Sequence, residues 1–195
     1  METALRIVLP KLLGGGITFQ VYPSNGKHDL LNKLPDRMRG YRDWLPTTWR
    51  IVVVVDRDDG NDEECIRLKR ELEAVAQSVG LTTKTSAGDA PWQVVNRIAI
   101  EELEAWFFGD MDAVREAYPR VPQTIERRAR FRNPDAIRGG TWEALEQVLQ
   151  RAGYFAGGYR KLEAAREIAL RMDPQRNRSH SFSVFRDTIL ALGGT

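Results

Sequence analysis

Cysteine and histidine are almost absent from this chain of 195 residues. Cys65 is the only cysteine, so no intrachain disulfide can form and a reducing, cytoplasmic setting is the expectation. One thiol and two imidazoles, His28 and His180, argue against a zinc site built on sulfur or nitrogen. They also offer no basis for a cysteine nucleophile or a Ser/His/Asp triad. Long apolar runs are missing too. The strongest, Ile51 to Val55, is far short of the roughly 20 residues that span a bilayer, so no membrane role is expected. The N-terminus shows no basic flank, apolar stretch and small-residue cleavage site in series, so no secretory signal is expected. A metal, if one is held, must sit on carboxylates.

Charge is present in both signs and unevenly placed. Residues 1–110 carry 14 Lys/Arg against 17 Asp/Glu, and residues 111–195 carry 15 against 10, so a balance of −3 is joined to one of +5. An acidic half beside a basic half suits a metal site next to a polyanion-binding surface, although solvated surface charge would read the same way. The expected organisation follows this split: an α/β domain over 1–110 and a helical, basic portion over 111–195 packed on it.

Apolar residues at spacings of three and four predict a helix over Thr3–Leu13, stopped by Gly14-Gly15-Gly16. The triple glycine follows a helix and lacks a Lys-Ser/Thr ending, so it is a helix stop and no phosphate loop. Ile17–Tyr22 alternates as a half-buried strand does. His28–Trp44 reads as helix, with Pro35 a place where it would break. Ile51-Val-Val-Val-Val55 reads as a strand buried on both faces of a mostly parallel sheet. Asn61 and Glu64 form a capping-box pattern for a helix carrying Cys65, Leu68, Leu72, Val75 and Val79 on one stripe, with Gly80 as its stop. Leu81–Thr85 and Val94–Ile100 are further strands. Strands alternating with helices define an α/β class. Helices are expected at Asp112–Tyr118, Trp142–Ala152, Leu162–Met172 and Phe182–Leu192.

Three constellations carry candidate chemistry. Asp56-Arg57-Asp58-Asp59-Gly60 follows the apolar strand, and ligands gather at the carboxyl ends of parallel strands. Asp56 and Asp58 alternate in an extended segment and so can offer oxygens to one hard cation, Mg²⁺ or Mn²⁺, a reading preferred to a polar turn. Gly60 stands where an EF-hand loop needs a side-chain oxygen, which excludes that motif. In Glu101-Glu102-Leu103-Glu104-Ala105-Trp106-Phe107-Phe108-Gly109-Asp110, a helix running through Gly109 places Glu104 and Asp110 inside the apolar arc. Glu102 and Asp112 then point away from it. A carboxylate so placed needs a partner or a metal. Arg127-Arg128-Ala129-Arg130 and Arg176-Asn177-Arg178 are basic stretches that could contact phosphate, with Ser181 a helix cap and Lys161 an extra cation.

The order Val-Val-Val-Val-Asp-Arg-Asp-Asp (52–59), then Arg-Ile-Ala-Ile-Glu-Glu-Leu-Glu-Ala-Trp-Phe-Phe-Gly-Asp (97–110), then Asn-Arg-Ser-His-Ser-Phe-Ser-Val-Phe (177–185) resembles the domain of unknown function 4276 family. That family looks like a branch of the Toprim superfamily related to the OLD-type nucleases. The resemblance implies a Toprim/Rossmann-like sheet flanked by helices, an acidic Mg²⁺ site, and cleavage of nucleic-acid phosphodiesters. It also implies a setting beside an AAA-type ATPase in defence against phage. Asp56 and Asp58 match the Toprim Asp-x-Asp, and Glu104 and Asp110 the Glu-Ala-Trp block. Toprim folds open with a strand ending in glutamate and then a helix bearing a second acid. Glu2 matches that second acid, while the strand and its glutamate have no counterpart.

The expected site is thus Asp56, Asp58 and Glu104 on metal, with Glu2 and Asp110 as further ligands. Lys161 would be the catalytic cation, and Arg127, Arg128, Arg130, Arg176 and Arg178 the phosphate contacts. The missing glutamate motivates an alternative: a non-catalytic subunit binding nucleic acid or an ATPase. A homo-oligomer stays open. A phosphatase using Asp56 as nucleophile is disfavoured, since Asp59-Gly60 follows where that motif continues to Thr or Val.

Overall fold

The computed structural model describes residues 1–57 and 62–193. Two compact units emerge: an αβ unit, Pro23–Ile98, and a helical unit, Met1–Tyr22 with Ala99–Thr195. The boundary expected at Asp110 falls inside the helical unit.

In the αβ unit, α2 (Gly26–Trp44) is followed by β1 (Ile51–Asp56), α3 (Asp62–Ser78) and β2 (Val94–Ala99). Pro35 does not break α2; the helix runs on and buries Leu34 and Met38 on either side of it. Losing one backbone donor is offset by that packing. On α3, Leu68, Leu72 and Ala76 face β1 residues Val53 and Val55 within one apolar cluster, and Gly80 at φ 79 turns the chain out of the helix. Asn61, the expected cap of α3, lies outside the described residues.

The sheet is smaller than the full Rossmann-like sheet that was expected: β1 and β2 pair in parallel as two strands. β1 is also not buried on both faces, since Val53 and Val55 are buried while Val52 and Val54 are half-buried. Leu81–Thr85 contributes a single parallel bridge, Thr83 to Val94. The reason is local. Ser86 Oγ accepts from Thr83 N at 3.1 Å, and the Ala87 amide donates to Thr83 O at 2.9 Å, which turns the backbone away before a ladder can grow.

In the helical unit, α1 (Glu2–Leu13) packs on α7 (Lys161–Arg171) and α8 (His180–Gly193) through Ala4, Leu5, Val8 and Leu12. Lys11 fastens this contact by donating to the carbonyls of Ala169, Leu170 and Met172 at 2.8–3.0 Å, at the end of α7. Gly14 at φ 63 ends α1 as expected. Ile17–Tyr22 keeps the alternating burial of a strand but is extended chain with no strand partner among the described residues. The remaining elements are α4 (Glu104–Gly109), α5 (Met111–Ala117), three short 3₁₀ turns between Ile125 and Ala136, and α6 (Thr141–Arg151).

Candidate functional site

The helical unit gathers its acids around α4. The chain enters α4 through Glu101, whose φ of 63 is rare for a residue with a side chain. Glu102 then reaches α6 and accepts hydrogen bonds from Thr141 N, Thr141 Oγ1 and Trp142 N at 2.9–3.0 Å. A carboxylate on those amides caps the helix and meets its positive end. Glu102 lies before α4, and its structural role had no local signal.

Glu104 is 1% exposed. Its Oε1 lies 3.4 Å from Lys161 Nζ, an ion pair without the geometry of a good hydrogen bond. Burial pushes the Glu104 carboxyl above its ordinary range, Lys161 opposes that shift, and the charge of Glu102 adds slightly to it. Lys161 begins α7 and is half-exposed, with Nζ 5.4 Å over the Trp142 ring. Trp142 stacks with Tyr159 at 6.5 Å and 12°. Burial raises the Tyr159 hydroxyl strongly, with Glu104 contributing, and raises that of Tyr118 to about 12. An aromatic wall therefore stands beside one half-exposed amine and one buried acid that holds its proton more tightly than a carboxyl in water.

Asp110, 2% exposed, is held differently. The helix does not continue through Gly109; it stops there, and Asp110 caps α5 by accepting from Ala113 N at 3.2 Å. Asp173 N donates to its other oxygen at 2.8 Å, and Arg176 Nε donates at 2.6 Å. Arg176, expected to contact phosphate, is committed to Asp110 and lies 3.5 Å from Glu116.

The segment 176–181 wraps α4. Asn177 donates to Trp106 O at 2.7 Å, Arg178 N to Gly109 O at 2.9 Å, and Trp106 Nε1 to Ser181 Oγ at 3.0 Å. Only glycine fits at 109, because a Cβ there would come within 2.1 Å of Asn177 Oδ1. The N-terminus of α8, expected to attract phosphate, already holds Asp135, which accepts from His180 N at 2.6 Å and from Ser179 and Ser181 hydroxyls at 2.9 and 2.6 Å. Asp135 carried no signal in the sequence, being 45 residues from His180.

Of the other expected residues, Glu2 pairs with Arg6 at 2.8 Å on α1. Asp56 ends β1 half-buried, at the carboxyl edge of the αβ unit's sheet, where Lys27 donates to Arg57 O at 3.0 Å. Asp58 lies outside the described residues. Among the described residues, no three His, Cys, Asp or Glu side chains form a metal-holding group. Arg127, Arg128, Arg130 and Arg178 are exposed. Arg130 also lines a surface cavity of about 270 Å³ with Ala129, Asn133, Ala136 and Arg138.

These features define an α/β protein with a two-stranded parallel sheet and a helical unit built on buried carboxylates. The chain belongs to the family described as Domain of unknown function (DUF4276), whose model matches residues 1–190. No curated protein and no solved structure matches it. No described helix is long and apolar enough to cross a membrane.

Proposed function

We propose that this chain is a Toprim-like protein that uses Mg²⁺ or Mn²⁺ to act on nucleic-acid phosphodiesters. The observation that carries this reading is Glu104: a carboxylate buried beside a single half-exposed lysine costs stability, and packing alone gives no return for it. Fit to a metal differs among the five acids. Asp110 and Glu2 are engaged by other partners, so neither is offered as a ligand. Asp56, at the carboxyl edge of β1 with Asp58 two residues on, has the oxygen chemistry a hard cation takes. Such an ion, when bound, supplies an activated water and offsets charge on phosphate. Within the helical unit, Glu104 holds or releases a proton at Oε1, and Lys161 Nζ offers a cation to a phosphate oxygen. Trp142 and Tyr159 flank that pair on one side, and Lys161 reaches solvent.

The test is a calorimetric titration of Mn²⁺ into the native chain and Asp56→Asn, followed by cleavage of labelled DNA and RNA. Mn²⁺ heat lost in Asp56→Asn, and Mn²⁺-dependent cleavage lost in Glu104→Gln, are expected. No Mn²⁺ binding by the native chain, or equal cleavage by Glu104→Gln, would overturn the reading.

One observation favours the second reading, a non-catalytic subunit that binds nucleic acid or an AAA-type ATPase in phage defence. Around the 3₁₀ turns, Glu126 is taken by Arg115 at 3.0 Å and Asp135 by α8, which leaves the exposed Arg127, Arg128 and Arg130 as net positive charge. Retention of labelled nucleic acid, or of an AAA-type ATPase, by the native chain with no cleavage in the same reactions is the outcome this reading expects.

A further inference from the structure

We propose that the amino ends of the two strands in the αβ unit form a stacking surface for an unpaired nucleic-acid strand. The surface is built from three of the chain's five tryptophans. On α2, Arg37, Tyr41 and Trp44 share one face at spacings of four and three. The chain leaves α2 at Leu45, and a turn closed by Trp49 N donating to Pro46 O at 2.9 Å carries Trp49 back onto Trp44. Their rings meet edge to face at 6.1 Å, and Tyr41 lies 5.5 Å from Trp44. Trp44 is 58% and Trp49 49% exposed, a large open area for a side chain that is highly buried on average.

Arg50 follows directly. Its guanidinium donates to Thr47 O and Trp49 O, and its carbon sits 5.5 Å over the ring of Trp92, just before β2. Lys84 Nζ lies 5.5 Å from the same ring. The patch runs from Trp44 through Trp49 and Arg50 to Trp92 and Lys84, at the end of the sheet opposite Asp56.

Charge selects the occupant. Over residues 36–50 both carboxylates are neutralised by neighbours, Asp36 by Arg39 at 2.6 Å and Asp43 by Arg42 at 2.8 Å. Arg50 and Lys84, both over the Trp92 ring, add positive charge beside the exposed rings of Trp44 and Trp49. A ligand carrying both flat π-faces and regularly spaced negative charge answers both features. An unpaired strand offers its bases for stacking, which a duplex keeps inside its own stack. The inference stands on the αβ unit alone and does not depend on metal chemistry.

The test is fluorescence anisotropy of the full chain with a labelled oligothymidylate of about 12 nucleotides, a length within the span such surfaces cover. EDTA is present throughout, so metal chemistry plays no part. Trp44→Ala and Trp49→Ala should each weaken binding about tenfold, the loss of one stacked base. Trp44→Phe should restore most of it, because the stacking face is kept. Both rings are exposed, so unchanged melting checks that the variants fold. Unaltered affinity in the Trp44→Ala/Trp49→Ala double variant would overturn the proposal. So would a duplex or heparin bound as tightly as the single strand, which would reveal a plain polyanion surface. Binding to phosphatidylglycerol vesicles but not to the oligonucleotide would assign the patch to a lipid surface instead.

Discussion

Replacing Glu104 with glutamine should stabilise the protein, and by an amount that depends on pH. The Glu104 carboxyl is fully buried, and Oε1 makes no hydrogen bond of good geometry. A buried charged oxygen short of its partner costs about 1–3 kcal/mol. Lys161 is half-exposed at 3.4 Å, so its attraction returns less than about 1 kcal/mol. Glutamine has the same shape and no charge, and its removal of the acid strands no buried cation, because Lys161 reaches water. A gain of about 1–2 kcal/mol at pH 7.5 follows, or roughly 2–6 °C in the melting of the helical unit.

The sign of the pH dependence is fixed by the direction of the shift. Burial raises the Glu104 carboxyl, so the folded state holds the proton more tightly than the unfolded chain. Its contribution is fully favourable below the unfolded value and is lost as pH rises through the raised folded value. The native chain and Glu104→Gln should therefore melt alike at acid pH, and the variant should pull ahead as pH increases. Thermal melts followed by circular dichroism from pH 4 to pH 8 measure this. A variant that melts lower at pH 7.5, or by the same offset at every pH, would refute the account of Glu104 as a costly buried acid.

Other expected outcomes concern the clasp around α4. Asp110→Ala should cost about 2–4 kcal/mol in urea unfolding, from a lost cap, a stranded amide at Asp173 and a broken pair with the partly exposed Arg176. A loss under about 1 kcal/mol would remove Asp110 from its structural role. Asp135→Ala should cost about 2–3 kcal/mol, because α8 loses its cap and the hydroxyls of Ser179 and Ser181 lose an acceptor. Faster amide exchange at the start of α8 would locate the effect.

Two of the residue blocks that carry the family likeness serve each other structurally. The Glu-Ala-Trp-Phe-Phe-Gly-Asp block and the Asn-Arg-Ser-His-Ser block interlock through Trp106 and Gly109, and Arg176, just before the second block, holds Asp110. Arg176 was legible as a basic residue, but its charge is spent inside this clasp, whereas Arg127 and Arg128 remain exposed. The same chemistry in the sequence thus leads to a buried bond in one place and an open cation in another.

Spacing along the chain by itself determined α1, α3 and their glycine stops, the valine strand, and the burial of Glu104. These are properties of neighbours three, four or two residues apart, set by helical and extended geometry. Asp110 is buried for a different reason: α4 ends at Gly109, and the cap on α5 turns Asp110 inward. Tertiary structure alone decided that Glu104 meets Lys161, that Asp110 meets Arg176, and that Asp135 fills the start of α8. It also kept Ile17–Tyr22 and Leu81–Thr85 out of a ladder. A counterion or a strand partner comes from dozens of residues away, and no local period records which distant segment packing will bring to it.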